Sequence, residues 1–206
     1  MFVTDSRFTP MTHVTGYKGE TSVTNNLCSS PTYPKPIIME IKYELVEDKK
    51  DNLGMPCYEH RFDGMVISTD STRVDMDFVL RSLKQAYWAN TRPESMVRQS
   101  WAHSMGLGIY DEKTGEQVAM MRVVTDYAVY AHFFDVWVDP NHRGKGYSKT
   151  MLSFVMSYPG ISSVFRFQLT TADAHTLYGQ YGFDSLRNPE RFLEAFRTAD
   201  GNFKPS

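Results

Sequence analysis

Apolar residues occur singly at the start of the chain, among many Thr, Ser, Asn, Pro and Gly. A stretch of that kind, residues 1 to about 36, buries too little surface to offset the entropy of ordering it. Ser29-Ser30-Pro31-Thr32-Tyr33-Pro34-Lys35-Pro36 reads as an extended linker. The short apolar run 36–41 fits a strand, and the charged segment 47–52 a solvated loop. Order is therefore expected to begin near His60, giving a poorly ordered extension over 1–60 and a folded domain over 61–200.

From there the periodicities become readable. Met65-Val66-Ile67-Ser68 predicts a strand, and Asp75 stands at the N-cap of a helix whose apolar stripe is Met76, Val79, Leu80, Leu83 and Tyr87. Pro93 suits the first turn of a second helix running to about Ser104. Met105, Leu107 and Ile109 alternate with two glycines as a strand. Residues 111–116, containing Thr114-Gly115, form a turn to a return strand over 117–124. The most apolar strand is 131–138, ended by Asp139-Pro140. A helix begins at Tyr147 with Met151, Leu152, Val155 and Met156 on one face and closes at Pro159-Gly160. A strand over 164–169 and a short helix carrying Ala174, Leu177, Tyr178 and Tyr181 follow, and Gly182 stands where a glycine cap belongs. Strand, two helices, three strands, helix, strand, helix is the order of a mixed α/β layer without internal repeats.

Composition narrows the class. Of 206 residues, 41% are hydrophobic and 14% aromatic, so a substantial core is available, and the net charge of −2 offers no field to hold a nucleic-acid backbone. The two cysteines, Cys28 and Cys57, form no C-x-x-C pair and are too few for a disulfide scaffold. No stretch approaches a membrane span, and residues 1–10 do not resemble a secretory signal. These features predict a soluble protein of the cytoplasm, with no nucleic-acid or membrane partner and its oligomeric state open. The six histidines show no metal-ligand spacing, and His142 and His175 read as local hydrogen-bond partners.

Candidate chemistry concentrates in Asp139-Pro140-Asn141-His142-Arg143-Gly144-Lys145-Gly146-Tyr147-Ser148, between a buried strand and an amphipathic helix. Glycines permit close backbone approach to a ligand, and the first amides of a helix form an anion site without any side chain. Arg143 adds a fork suited to phosphate oxygens. The spacing G-x-x-x-x-G-K-[ST] of a nucleotide-binding P-loop is absent, and Lys149 stands where the dinucleotide pattern G-x-G-x-x-G requires its third glycine. An anion held by backbone amides and a plain glycine-rich turn with a solvated Arg-Lys pair both remain open on this loop alone.

The sequence over about residues 65–195 resembles the GNAT N-acetyltransferases. Arg143, Gly146 and Ser148 fall on the fixed positions of that family's [Q/R]-x-x-G-x-[G/A] motif, with Ser148 replacing the usual Gly or Ala. Downstream, Ala174-His175-Thr176-Leu177-Tyr178-Gly179-Gln180-Tyr181-Gly182-Phe183 is similar to a second motif, a short helix ending in Tyr followed by Gly-Phe. Phe134-Asp135-Val136-Trp137-Val138-Asp139-Pro140, Asp173-Ala174-His175 and Pro189-Glu190-Arg191-Phe192-Leu193 look like landmarks of a bacterial-type subgroup.

The resemblance implies a GNAT-type mixed central sheet whose central strands splay apart, and an enzyme moving an acetyl group from acetyl-CoA to a primary amine. It implies that Arg143, Gly144, Lys145, Gly146, Tyr147 and Ser148 hold the pyrophosphate. Val136, Trp137 and Val138 would bond the pantetheine arm through their backbone. Thr171 stands where many members carry a cofactor-contacting Asn. Tyr178 matches the general acid, with a helix tyrosine packed on the core as the alternative. Asp135, inside the strand beside the reaction gap, is a candidate base. It could equally be a structural carboxylate accepting from backbone or Arg122, with a water chain carrying the proton. Trp88 and Arg92, at the junction of the first two helices, are candidates for the acceptor pocket, Arg92 for an acidic substrate group. Two rivals stand beside the enzyme: a non-catalytic acyl-CoA-binding regulatory module on the same fold, and an interaction protein acting through its N-terminal 60 residues.

Overall fold

The computed structural model describes residues 36–197 and 202–205. Seven strands form one sheet in chain order: β1 (Glu44–Lys50), β2 (Pro56–Phe62), β3 (Met65–Ser68), β4 (Met105–Asp111), β5 (Gln117–Thr125), β6 (Tyr130–Val138) and β7 (Arg166–Leu169). All neighbours pair antiparallel except β6 and β7, which run parallel. This parallel pair needs a crossover, and helix α3 (Tyr147–Ser157) supplies it. Helices α1 (Met76–Gln85) and α2 (Glu94–Ala102) lie between β3 and β4, and the short α4 (His175–Gly179) follows β7. A small hairpin, β8 (Ala195–Arg197) with β9 (Phe203–Pro205), pairs separately.

Period-two alternation assigns the two faces of the sheet. On β5, Met120 packs with Phe78, Val79, Leu83, Val97 and Trp101 of α1 and α2. Its neighbour Met121 joins the opposite cluster, where Met151, Leu152, Phe154 and Val155 of α3 meet Leu107, Ile109 and Phe133. Both helix starts read from the sequence are present. The Asp75 carboxylate accepts from the amides of Asp77 and Phe78, and Pro93 precedes α2. The turn at 111–116 closes as expected, with Asp111 accepting from the amides of Lys113 and Thr114.

The start of the fold differs from the sequence reading. Residues expected in the extension form β1 and β2, and segment 47–50 is strand rather than loop. β1 is an edge strand exposed along nearly all its length, so it carries no apolar face to betray it. β2 buries Cys57 and Glu59. Glu59 sits inside because Arg73 Nη1 and Arg61 Nη2 reach its carboxylate at 2.6 and 3.2 Å, and ion pairing hides the strand from a hydrophobic pattern. The 36–41 run is not a strand. It is tied instead by the Ile37 amide to the Gln180 carbonyl (2.9 Å) and by the Met39 amide to Ser153 Oγ (3.1 Å). Residues 1–35 of the extension expected over 1–60, Cys28 included, lie outside the described residues; Cys57 is buried with a free thiol. Among the described residues, no helix is long and apolar enough to cross a membrane.

A bulge in β6 opens the sheet. Met120 faces Trp137 and Arg122 faces Phe134, so β6 holds one residue more than β5 across this interval. Asp135 takes up the excess with φ of 54°, a left-handed value that Asp tolerates better than most residues. β7 ends at Leu169, opposite Phe133. From Phe134 to Val138 the edge of β6 has no β7 partner, and the expected splay begins beside the bulge.

Candidate active site

The gap between β6 and the end of β7 is the floor of a cavity of about 1080 Å³. One end is walled by the loop after β6. Asp139 caps a helical turn at Pro140–His142 by accepting from the Asn141 amide at 2.9 Å. Gly144 and Gly146 then take φ of 77° and 83°. A Cβ at either would meet nothing within 4 Å, so glycine is required here by backbone conformation and not by space. Gly146 is the N-cap of α3, and no side chain caps that helix. The backbone amides from Gly144 to Lys149 donate to no described residue, with the helix ladder starting at the Thr150 amide to the Gly146 carbonyl. Unpaired amides at a helix start, with the dipole behind them, form a site for a multiply charged anion.

The expected residues divide by what their side chains do. Arg143 stacks on the Trp137 ring at 5.0 Å and donates from Nε to the Val138 carbonyl, which leaves its two Nη groups for a ligand. Tyr147 turns its ring into the core against Phe62, so only its amide faces the loop. Lys145, expected in the site, does not line the cavity; Ser148 does line it. Thr171 Oγ1 accepts from the Ala174 amide at 3.0 Å, holding the entry to α4. Trp88 and Trp137 meet edge to face at 6.2 Å, and Tyr87 meets Trp88 at 5.0 Å.

Tyr178 lines the same cavity from α4 and packs edge to face on Phe183, 6.0 Å away. Burial, and after it the charges of Asp173 and Tyr87, push its hydroxyl up to about 12. It is therefore a fully protonated donor at neutral pH. Asp135 is enclosed, with no side-chain exposure, and both its oxygens are engaged at 2.9 Å: Oδ1 accepts from Arg92 Nη1, Oδ2 from Arg122 Nε. Arg122 also donates from Nη1 to Ser104 Oγ at 3.1 Å. Of the two roles open to Asp135, this geometry supports the structural one, because its lone pairs are turned to guanidinium groups.

His132, which the sequence reading passed over, also lines the cavity. Its ring stacks on Phe134 at 4.2 Å. Tyr130 OH lies 2.9 Å from its Nδ1 and donates to Gln168 Oε1 at 2.8 Å. With the Tyr130 proton committed to Gln168, His132 Nδ1–H donates to the phenol oxygen and Nε2 keeps its lone pair. Burial, then the nearby Arg122 charge, hold the imidazole below its ordinary value of 6.5. The unfolded chain thus binds a proton near pH 6.5 that the folded chain refuses, and stability falls as pH drops below 6.5. Urea midpoints at pH 7.5 and 5.5 check this: His132→Asn is expected to narrow the drop between them. An unchanged drop refutes a half-buried imidazole held neutral. Only the fold, by stacking His132 on Phe134 beside Arg122, marks this histidine.

Comparison with known proteins decides the family. The model of the acetyltransferase (GNAT) domain matches residues 105–185. A GNAT-family structure from Xanthomonas campestris pv. campestris is 38% identical, covering 66% of this chain and 95% of that one, with a TM-score of 0.62. The chain belongs to the GNAT acetyltransferase family. A Gibberella zeae protein named as an acetyltransferase is 24% identical over 134 residues, 56% of this chain and 76% of that protein. A structure from Deinococcus radiodurans named as an acetyltransferase shares the fold of this chain at 13% identity and a TM-score of 0.51, covering 62% of this chain and 88% of its own.

Proposed function

We propose that this GNAT protein transfers an acetyl group from acetyl-CoA to a primary amine of a small molecule or peptide. The observation that carries the reading is the run of unpartnered amides from Gly144 to Lys149, set at one end of the gap that Tyr178 lines. Those amides, the free Nη groups of Arg143 and the Ser148 hydroxyl fit a pyrophosphate. The edge of β6 over Val136, Trp137 and Val138, which β7 leaves uncovered and where Arg143 Nε takes the Val138 carbonyl, fits an amide-bearing pantetheine arm, and Thr171 borders it. Acetyl-CoA supplies an activated thioester. The chain supplies orientation, a proton acceptor and a proton donor.

In this reading Trp88 and Arg92 bound the acceptor, and His132 Nε2 takes the proton from its ammonium. Asp135 holds Arg92 and Arg122 in place as a positioning residue. The Tyr178 hydroxyl donates to the departing sulfur. Calorimetry of the full chain with acetyl-CoA, followed by an amine-panel assay of thiol release, tests the proposal. The expected result is association and turnover with at least one amine class. Association without turnover of any amine favours an acyl-CoA-binding module, and no association ends both readings.

A further inference from the structure

At the acceptor end of the cavity the charges do not balance. Arg92 and Arg122 share the single carboxylate of Asp135, so two permanent cations face one anion. Asp135 is fully enclosed and the Arg122 side chain is 7% exposed, so solvent screens this surplus weakly. Arg122 is turned inward, to Asp135 and Ser104. Arg92 is 29% exposed and lines the cavity, and its Nη2 and Nε donate to no described residue. The excess charge thus reaches the cavity through one guanidinium with spare donors, locked in direction by its bond to Asp135.

The cavity carries other charged groups as well. Arg143 and Lys149 belong to the phosphate loop, Arg143 stacking on Trp137, and Asp173 is an exposed carboxylate beside Tyr178. Around Arg92 the lining is flat and aromatic, from Trp88, Trp137 and Phe134. The surplus charge of the two arginines repels an ammonium arriving alone, and a polyamine more so, against whatever attraction the aromatic faces offer. An amine carrying its own anion is drawn in, and the surplus positive field then favours loss of its ammonium proton. His132 senses the same field, since the Arg122 charge lowers its proton affinity.

Resting on the acetyltransferase reading, we infer that the acceptor is a carboxylate-bearing amine of the amino-acid type, with the carboxylate on Arg92 and an apolar or aromatic side chain against Trp88. A planar carboxylate matches the guanidinium fork in two parallel hydrogen bonds, which a neutral amide cannot reproduce.

The experiment compares L-phenylalanine with L-phenylalaninamide, phenethylamine, O-phosphoethanolamine and spermidine as acceptors. The amine-free carboxylate 3-phenylpropionate is titrated in parallel against the CoA-loaded protein, followed by tryptophan fluorescence. Phenylalanine is expected to exceed its amide in kcat/KM by about tenfold or more, the worth of a charge-assisted hydrogen-bond pair. Arg92→Met is expected to collapse that ratio and the 3-phenylpropionate response together, while Arg92→Lys retains part of both. Equal or better use of the amide, phenethylamine or spermidine overturns the inference, as does preference for the phosphate or a ratio unmoved in Arg92→Met. Absence of a 3-phenylpropionate response in the native protein also overturns it. Failure of the underlying reading is separate, because it appears as lack of acetyl-CoA association or as lack of turnover with every amine, whereas failure of the inference appears as the wrong ranking among amines that are turned over.

Discussion

Replacing Tyr178 by Phe is expected to lower kcat by about 100-fold or more, the scale of a lost proton donor, and to leave the affinity for acetyl-CoA unchanged. The substitution is clean. Phe keeps the ring that packs on Phe183, and the hydroxyl bonds no described residue, so its removal leaves no orphaned partner. The size of the loss depends on what the hydroxyl does. From sequence, a phenol at the ordinary value of about 10 faces a leaving thiolate whose acid lies near about 8.5, a modestly uphill proton transfer. Burial widens that gap, since the hydroxyl stands at about 12 in the folded protein. Donation of a hydrogen bond to charge developing on sulfur is then more favourable than complete transfer ahead of bond cleavage. A further consequence is the pH profile. A group at about 12 stays protonated through the working range and imposes no alkaline limb below that value. Thiol release and acetyl-CoA calorimetry on the same preparation check the claim. Unchanged turnover makes the hydroxyl a bystander, and joint loss of turnover and affinity makes it structural.

How much of this was legible in the sequence depends on which forces shaped each part. The buried strands β4 to β6 and helices α1 to α3 announced themselves because apolar periodicity and caps such as Asp75 act locally. The glycine loop before α3 was equally legible, since positive φ at Gly144 and Gly146 leaves few residue choices. β1 and β2 were not. One is an exposed edge, and the other buries Glu59 against arginines from two different segments, a compensation visible only in three dimensions. The cavity gathers nearly all of the expected site residues, Lys145 excepted. Their roles were less readable than their positions. His132 lacks any motif, and its lowered proton affinity comes from burial first and the Arg122 charge second, both set by the fold. Tyr147 and Thr171 stand where the motifs put them, yet spend their side chains on packing and on a turn.

Asp135 is where the two roles offered by sequence separate most sharply. Asp135→Asn is expected to cost about 3 kcal/mol of stability, at the low end for breaking a buried charge pair. For a chain of this size that lowers Tm by roughly 6–12 °C. Backbone strain does not enter, because Asn tolerates the left-handed φ of 54° as well as Asp does. What changes is the charge. An amide offers one oxygen, so one guanidinium meets an NH2 group, and Arg122 at 7% exposure has no solvent to turn to. Removing the cation together with its partner should restore part of the loss, so Asp135→Asn with Arg122→Met is expected to melt above Asp135→Asn alone. Thermal melts of the three proteins, read beside acetyl-CoA affinity, check this. Were Asp135 instead a solvated proton acceptor, Asn would remove the acid limb of the rate profile and leave Tm within about 2 °C, the scale of a surface substitution. The two outcomes differ in kind. A carboxylate whose work is to hold two arginines is read out in melting before it is read out in turnover, and Arg92, the residue proposed to face the acceptor, is one of the two.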